Sequence, residues 1–451
     1  MAHSPRRVRA LVGWGLATLA AGVLGAAAET RYVSPAGLHI APFTNWSGAA
    51  TNIQSALDAC AAEDRVVVSN GTYALQTTVR VTNGVALASL NGREAVVLNG
   101  GALAATQDVV FLMFGSLDGF TISNAPRHGV KSEHGAIFNS LITHARSNGI
   151  DSYTTPRIVT NSVLVVSNTL VRGSGGVGIF TCAVDTRIHG CEITDSGDAG
   201  VSLRQNDTTG AIQVPRVSNF LIRASTVSSN RNSGIALAFW NYATELPAVP
   251  VLVDGCVIED NVGVRGGGIA DAGGGSTDRS SGVQITGSII RRNAASARGG
   301  GIAFMPHRSP SISYSLVEDN VSADDGGGLY GTGGSMHNCL VRGNACANDG
   351  GGAYGGILRN NTLVFNEATR GGGTAQAEVY NCIVYYNANR ANSYTNNYGG
   401  SVSYSCTTPL VGGAGNISAP PGFAGFRNWR LVASSPCVDT ASPFFPEGDY
   451  D

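Results

Sequence analysis

From about residue 225 the chain repeats itself. Ser225-Thr226-Val227-Ser228-Ser229-Asn230, Cys256-Val257-Ile258-Glu259-Asp260-Asn261 and Ser288-Ile289-Ile290-Arg291-Arg292-Asn293 are followed by equivalents that begin at Ser315, Cys339, Asn361 and Cys382. Each opens on a small or polar residue, continues as a short apolar strand and carries an asparagine five positions after its start. Successive starts are 31, 32, 27, 24, 22 and 21 residues apart. Seven or eight residues after Asn261, Asn293, Asn320, Asn344 and Asn366, a Gly-Gly-Gly run closes on Gly268, Gly301, Gly328, Gly352 and Gly373. Weaker copies lie upstream, as in Cys191-Glu192-Ile193 leading to Gly200-Val201 and Ser140-Leu141-Ile142 leading to Gly149-Ile150.

Nothing in this repeat runs at 3.6 residues, so it is not a helical array. One such coil has too little apolar surface for a core of its own. Coils must stack, each strand pairing with its equivalent in the next turn. The predicted fold is all-β: a single-stranded right-handed parallel β-helix, its hand following from the preference for right-handed parallel crossovers. Residues 65–402 give about 13 coils and a stack on the order of 60 Å at one strand spacing per coil. Inward asparagines should bond from coil to coil, and Cys191, Cys256, Cys339 and Cys382 share a buried small-residue column with Ser225, Ser288 and Ser315. An open solenoid end needs a cap. Ile53, Ala56, Leu57 and Cys60 make one apolar helix face over 52–62, N-capped by Thr51 or Asn52, within a cap region 29–64.

The composition agrees with strands and turns: of 451 residues 61 are glycine and 13% are charged. A net charge of −2, with Lys131 the one lysine, gives no general attraction to nucleic acid. Residues 1–28 read as a signal peptide: Arg6, Arg7 and Arg9, then the apolar run Leu11 to Leu24, then Ala26-Ala27-Ala28. That run is short of the roughly 20 residues needed to cross a bilayer. The expectation is a secreted or cell-surface monomer with no membrane-spanning segment in its mature chain.

Tyr32-Val33-Ser34-Pro35-Ala36-Gly37, Ile53-Gln54-Ser55-Ala56-Leu57 and Gly71-Thr72-Tyr73 together resemble the N-terminal signature of exported bacterial β-helix proteins of the pectate-lyase-like superfold. Leu117-Asp118-Gly119-Phe120-Thr121-Ile122 and the Asn…Gly-Gly-Gly repeats are similar to the body of that family. In the closing segment 403–451, Trp429-Arg430-Leu431 and Ser434-Ser435-Pro436-Cys437-Val438-Asp439 resemble the closing motif of its choice-of-anchor Q group, which usually continues toward a sorting tail. The fold hosts lyases, glycosidases, adhesins and binders, so the resemblance implies architecture more than chemistry.

A hydrolase on this scaffold needs convergent carboxylates; a lyase needs an Arg or Lys base, usually with Ca²⁺. The Asp324-Asp325 doublet reads as a solvated turn. The densest titratable run is Arg127-His128-Gly129-Val130-Lys131-Ser132-Glu133-His134, with His144 and Arg146 one coil on. Lys131, Asp151, Asp198 and Arg204 are the weak catalytic candidates, placed to line one face. Excess residues gather after one strand of successive coils, within 151–310. They form a loop wall whose candidate ligand-binding residues are Tyr153, Arg204, Asn206, Asp207, Trp240 and Tyr242, with Gln205, Phe239 and Asn241 alongside. Aromatic faces beside amides and carboxylates suit sugar rings. The reading is a surface β-helix protein that binds a polysaccharide or other glycan through that wall. The alternatives are a polysaccharide lyase or glycoside hydrolase acting on acidic polysaccharide, and a structural adhesin stalk. No cofactor or metal is expected, apart from Ca²⁺ for a lyase.

Overall fold

The structure is a computed structural model and describes residues 28–153, 162–182, 184–204, 218–239, 249–271, 281–305, 309–389, 395–425 and 428–442. Each coil runs through three strands, and from Val262 on a short fourth one follows the third, as in Val262–Gly263 paired with Ala294–Ala295. In one, Ile150–Tyr153 forms the first face, Val163–Ser167 the second and Leu170–Arg172 the third. The next coil repeats them as Ile179–Cys182, Asp185–His189 and Glu192–Thr194. Equivalent strands pair in parallel and in register, Ile150 beside Ile179, Val166 beside Ile188, Val171 beside Ile193. Among the described residues the third face has 14 strands, a stack of about 60 Å. The nine-residue strands Val110–Asp118 and Val130–Phe138 bend from the first face into the second and join the two into one sheet of 26 strands.

Within each strand, period-two alternation sends Val130, Ile150, Ile179 and Val201 inward, all fully buried. From Asn230 onward the turn after the third face is held by the asparagine column. Nδ2 of Asn230, Asn261, Asn293, Asn320, Asn344, Asn366 and Asn387 donates to Oδ1 of the next asparagine, at 2.9–3.0 Å, ending on Asn396. A second column precedes the third face. There the backbone N–H of Cys191 reaches Ser225 Oγ and that of Cys256 reaches Ser288 Oγ, each at 3.1 Å, and that of Ser315 reaches Cys339 Sγ at 3.5 Å. The four cysteines of this column are buried and serve as small side chains; burial pushes the Cys191 thiol up to about 11 and those of Cys339 and Cys382 up to about 12.

The glycine triplets are steric requirements. Gly326 has φ +67°, and a Cβ on Gly327 or Gly328 would sit 2.5 Å from the carbonyl oxygen of Gly351 or Gly352 in the next coil. Outside, the third face carries a ladder of alternating charge in register, Glu259, Arg291, Glu318 and Arg342; Arg291 Nε lies 2.6 Å from Glu259, and Arg342 ion-pairs with Glu318.

The capping helix is shorter than the sequence suggests, Ile53–Asp58, with Asn52 as N-cap accepting from the Ser55 N–H at 2.8 Å. Ile53, Ala56 and Leu57 are buried, while Cys60 lies past the helix end and is half-buried. Its N-terminal neighbour Thr30–Val33 already pairs with Arg65–Val68 as a coil strand, and the buried Arg31–Asp64 ion pair ties the two together. At the other end Phe423–Gly425 and Asn428–Leu431 form the antiparallel pair of the described residues.

Candidate functional site

The outer side of the first face is where the described cation–ring contacts gather. Residues between the inward ones point out, and register stacks Arg80, Phe111, Lys131, Asp151 and Phe180 in consecutive coils. Arg80 lies 4.5 Å from the Phe111 ring centre, Lys131 5.7 Å from Tyr153 and Arg204 5.1 Å from Phe180. Further along, Arg298 lies 4.9 Å from Tyr330 and Arg370 4.4 Å from Tyr398. All five rings belong to first-face strands, each with a cation within about 6 Å, the range of a cation–π attraction.

The densest polar cluster lies where the weakly repeated upstream coils cross this face. Lys131 ion-pairs with Asp151 in the adjacent coil. The other carboxylate oxygen of Asp151 accepts from Asn148 Nδ2 at 2.8 Å. His128, buried one turn above, receives the Asn148 backbone N–H on Nδ1 at 3.2 Å, which leaves Nε2 as the protonated nitrogen of the neutral ring, 4.0 Å from Asp151. Burial holds the His128 ring below its ordinary value of 6.5, against the pull of Asp151 and Asp108. Lys131 is thus committed to a carboxylate, and Asp151 to three partners.

The sequence candidates separate. Lys131, Asp151 and Tyr153 come together. Arg204 sits on Phe180 beside them, its Nε buried without a hydrogen-bond partner. Asp198 is held in the turn before Val201–Arg204, where it accepts from the Ala199 N–H and from Asn232 Nδ2, each at 2.8 Å. Asn206, Asp207, Trp240 and Tyr242 lie outside the described residues, as do Gln205 and Asn241. Phe239, grouped with the loop wall by sequence, is a core residue: it is 2% exposed and stacks on Phe220 at 5.6 Å. His134 stacks on Phe114 at 4.8 Å, and His144 meets its neighbour Thr143 at 2.9 Å.

The Asp324-Asp325 doublet is not a solvated turn. Arg298 Nε meets Asp324 at 2.9 Å, Asn348 Nδ2 meets its other oxygen at 2.6 Å, and Asp325 is partly buried beside them. Burial, then the charge of Asp324, pushes the Asp325 carboxyl above the usual carboxylate range. Asp349, one coil on, is held by Arg370 at 2.7 Å. Sequence reasoning missed Arg80, Phe111, Asn148 and Phe180. Their common signal is coil register, which the weaker upstream repeats obscure.

Among the described residues no group of three or more His, Cys, Asp or Glu side chains is arranged to hold a metal ion, and no helix is long and apolar enough to cross a membrane.

These coils are those of a right-handed parallel β-helix protein, and residues 113–277 match the family model of the right handed beta helix region. No curated protein matches the chain. Among solved structures it is similar to pectate lyase Pel9A, at 13% identity and a TM-score of 0.38 over 94% of this chain and 95% of that one. It is similar to the catalytic unit of the GH87 alpha-1,3-glucanase from Streptomyces thermodiastaticus strain HF3-3, at 13% identity and 0.40 over 81% and 65%. XylC in its complex with xylose matches at 8% identity and 0.43 over 83% and 86%. At these scores the likenesses carry nothing about activity.

Proposed function

We propose that this chain is an exported protein that binds a polysaccharide along the outer side of the first face. The observation that carries the reading is the row of five cation–ring pairs on that one face. Aromatic rings offer flat apolar surface to the C–H faces of sugars, and the neighbouring charges bond to hydroxyls or carboxylates. Coils repeat about every 4.8 Å, so rings in successive coils, such as Tyr153 and Phe180, face successive parts of one extended chain. Solenoids bind along such surfaces. The test is a glycan array of neutral and acidic polymers. Tyr153→Ala, Phe180→Ala and Arg204→Ala should each weaken binding by about fivefold or more; Trp240→Ala and Tyr242→Ala test the loop residues in the same way. No binding to any glycan overturns the reading.

One observation favours a catalytic second reading, a glycoside hydrolase. Asp325 is a carboxyl raised by burial, and it accepts the backbone N–H of the Arg370-paired Asp349 one coil on at 3.3 Å, two neighbouring carboxylates of the kind an acid and its partner require. New reducing ends released from a polymer by the chain, and abolished by Asp325→Asn, would establish it. A polymer left intact by the wild type would remove it.

A further inference from the structure

Two of the nine cysteines lie outside the buried cysteine and serine column and meet at the C-terminal end. Cys406 opens the last third-face strand, Cys406–Thr407, paired beside Ile383. Cys437 lies in the closing Ser-Pro-Cys turn, its N–H bonded to Ser435 Oγ at 3.0 Å. The Cys406 thiol donates to the Ala419 carbonyl at 3.2 Å, and Ser435, two residues before Cys437, donates to the Pro421 carbonyl, so the two thiols are brought near one another although 31 positions separate them in the chain.

The segment that carries Cys437 is laid against the stack. Phe423 and Trp429 pack on each other at 5.4 Å and on the outward rings Tyr386 and Phe365 at 6.4 and 5.5 Å. Asn381 accepts the Ser442 N–H at 2.9 Å, and the Tyr385 hydroxyl donates to the Ser418 carbonyl at 3.1 Å. These contacts cover exposed ring surface and few backbone groups, so a crosslink would add a constraint that the packing lacks. Cys406 is buried, whereas Cys437 is partly exposed.

We propose that Cys406 and Cys437 form a disulfide that clamps the closing segment 418–442 onto the last coils, with a small-molecule disulfide or the disulfide of a thiol oxidoreductase as oxidant. Partial exposure makes Cys437 the attacking group. Its thiol is held below the ordinary range by the neighbouring Cys406, with burial opposing, while Cys406 is raised by Cys437 and by burial. The Cys437 thiolate attacks the oxidant's disulfide and releases one thiolate, leaving a mixed disulfide. Cys406, giving up its proton, then attacks the Cys437 sulfur and releases the second. The protein loses two protons and two electrons, and the oxidant gains them as two thiols.

The test uses the full chain. Equilibrate it in oxidised and reduced glutathione, block remaining thiols with N-ethylmaleimide under denaturing conditions, digest it and read the peptides by mass spectrometry. The expected product is one crosslinked pair of peptides carrying Cys406 and Cys437, lighter than their sum by two hydrogens, with Cys191, Cys256, Cys339 and Cys382 alkylated. Hydrogen exchange over 418–442 should quicken by about tenfold or more when the wild type is reduced, and to the same rate in Cys437→Ser without any reductant. Cys406 and Cys437 both alkylated after equilibration with excess oxidised glutathione would overturn the disulfide. A crosslink that leaves exchange in 418–442 unchanged on reduction would overturn the clamp.

Discussion

Asn320 and Asn344 are joined twice: the backbone N–H and the side-chain Nδ2 of Asn320 both donate to Asn344 Oδ1, at 3.0 and 2.9 Å. Nδ2 of Asn320 also reaches the Ile290 carbonyl at 2.9 Å, and its Oδ1 takes the N–H of Asn293 at 3.0 Å. One side chain thus satisfies two backbone groups of the preceding coil and bonds to the asparagine of the next, and all three asparagines are buried. Asn320→Ala should lower stability by at least 1–3 kcal/mol, because it orphans buried partners on both sides. Chemical denaturation checks this; a loss under about 0.5 kcal/mol would mean that water or backbone adjustment replaces the ladder.

The inward hydroxyls of Ser132, Ser152 and Thr181 stack in register in the core, and none has a hydrogen-bond partner. A buried unpaired hydroxyl is a cost. Thr181→Val keeps the shape, removes the polar atom and should raise stability by about 1 kcal/mol. A destabilised Thr181→Val variant would show that the hydroxyl has a partner after all.

Asp151→Asn leaves the Lys131 ammonium beside a neutral amide, with only 18% of the lysine side chain exposed. The expected loss is about 2–3 kcal/mol, below the range for fully buried pairs because water still reaches Lys131. The double variant Lys131→Met, Asp151→Leu should lose less than the single one, since it leaves no unpaired charge. Denaturation of the wild type, Lys131→Met, Asp151→Leu and the double variant measures the coupling. Equal losses in the single and double variants would refute a structural ion pair.

His128 sets a pH dependence. Its native value lies below the ordinary 6.5 because burial disfavours the charged ring, so in acid the unfolded chain binds a proton that the native chain resists. Its contribution to stability is therefore complete above about pH 6.5 and is lost as the pH falls through that value toward the native one. His128→Asn retains an acceptor for the Asn148 N–H and cannot titrate. Stability measured from pH 8 downward should fall less steeply in this variant than in the wild type once below about 6.5. Parallel curves would refute the assignment.

The solenoid was legible because its physics is repetitive. Stacking places the same residue in the same environment coil after coil, so Asn261, Asn293 and Asn320 announce an inward ladder by period alone, and the triplet ending at Gly328 announces a close approach of backbones. The cap was legible from the spacing of Ile53, Ala56 and Leu57, though not its early end at Asp58. The candidate site was harder to see, because function breaks the repeat. Which outward residues meet depends on register between coils of unequal length: Asp151 lies 20 residues from Lys131 and faces it, whereas Asp198 lies six from Arg204 and bonds to Asn232 instead. Phe239 reads as a loop aromatic until the fold turns it onto Phe220. The Cys406–Cys437 contact joins a coil to a segment outside the repeat, where no period operates. Local pattern and repeat length determined the architecture; the pairing of distant side chains was decided only when the coils stacked, because that step alone sets the distances between them.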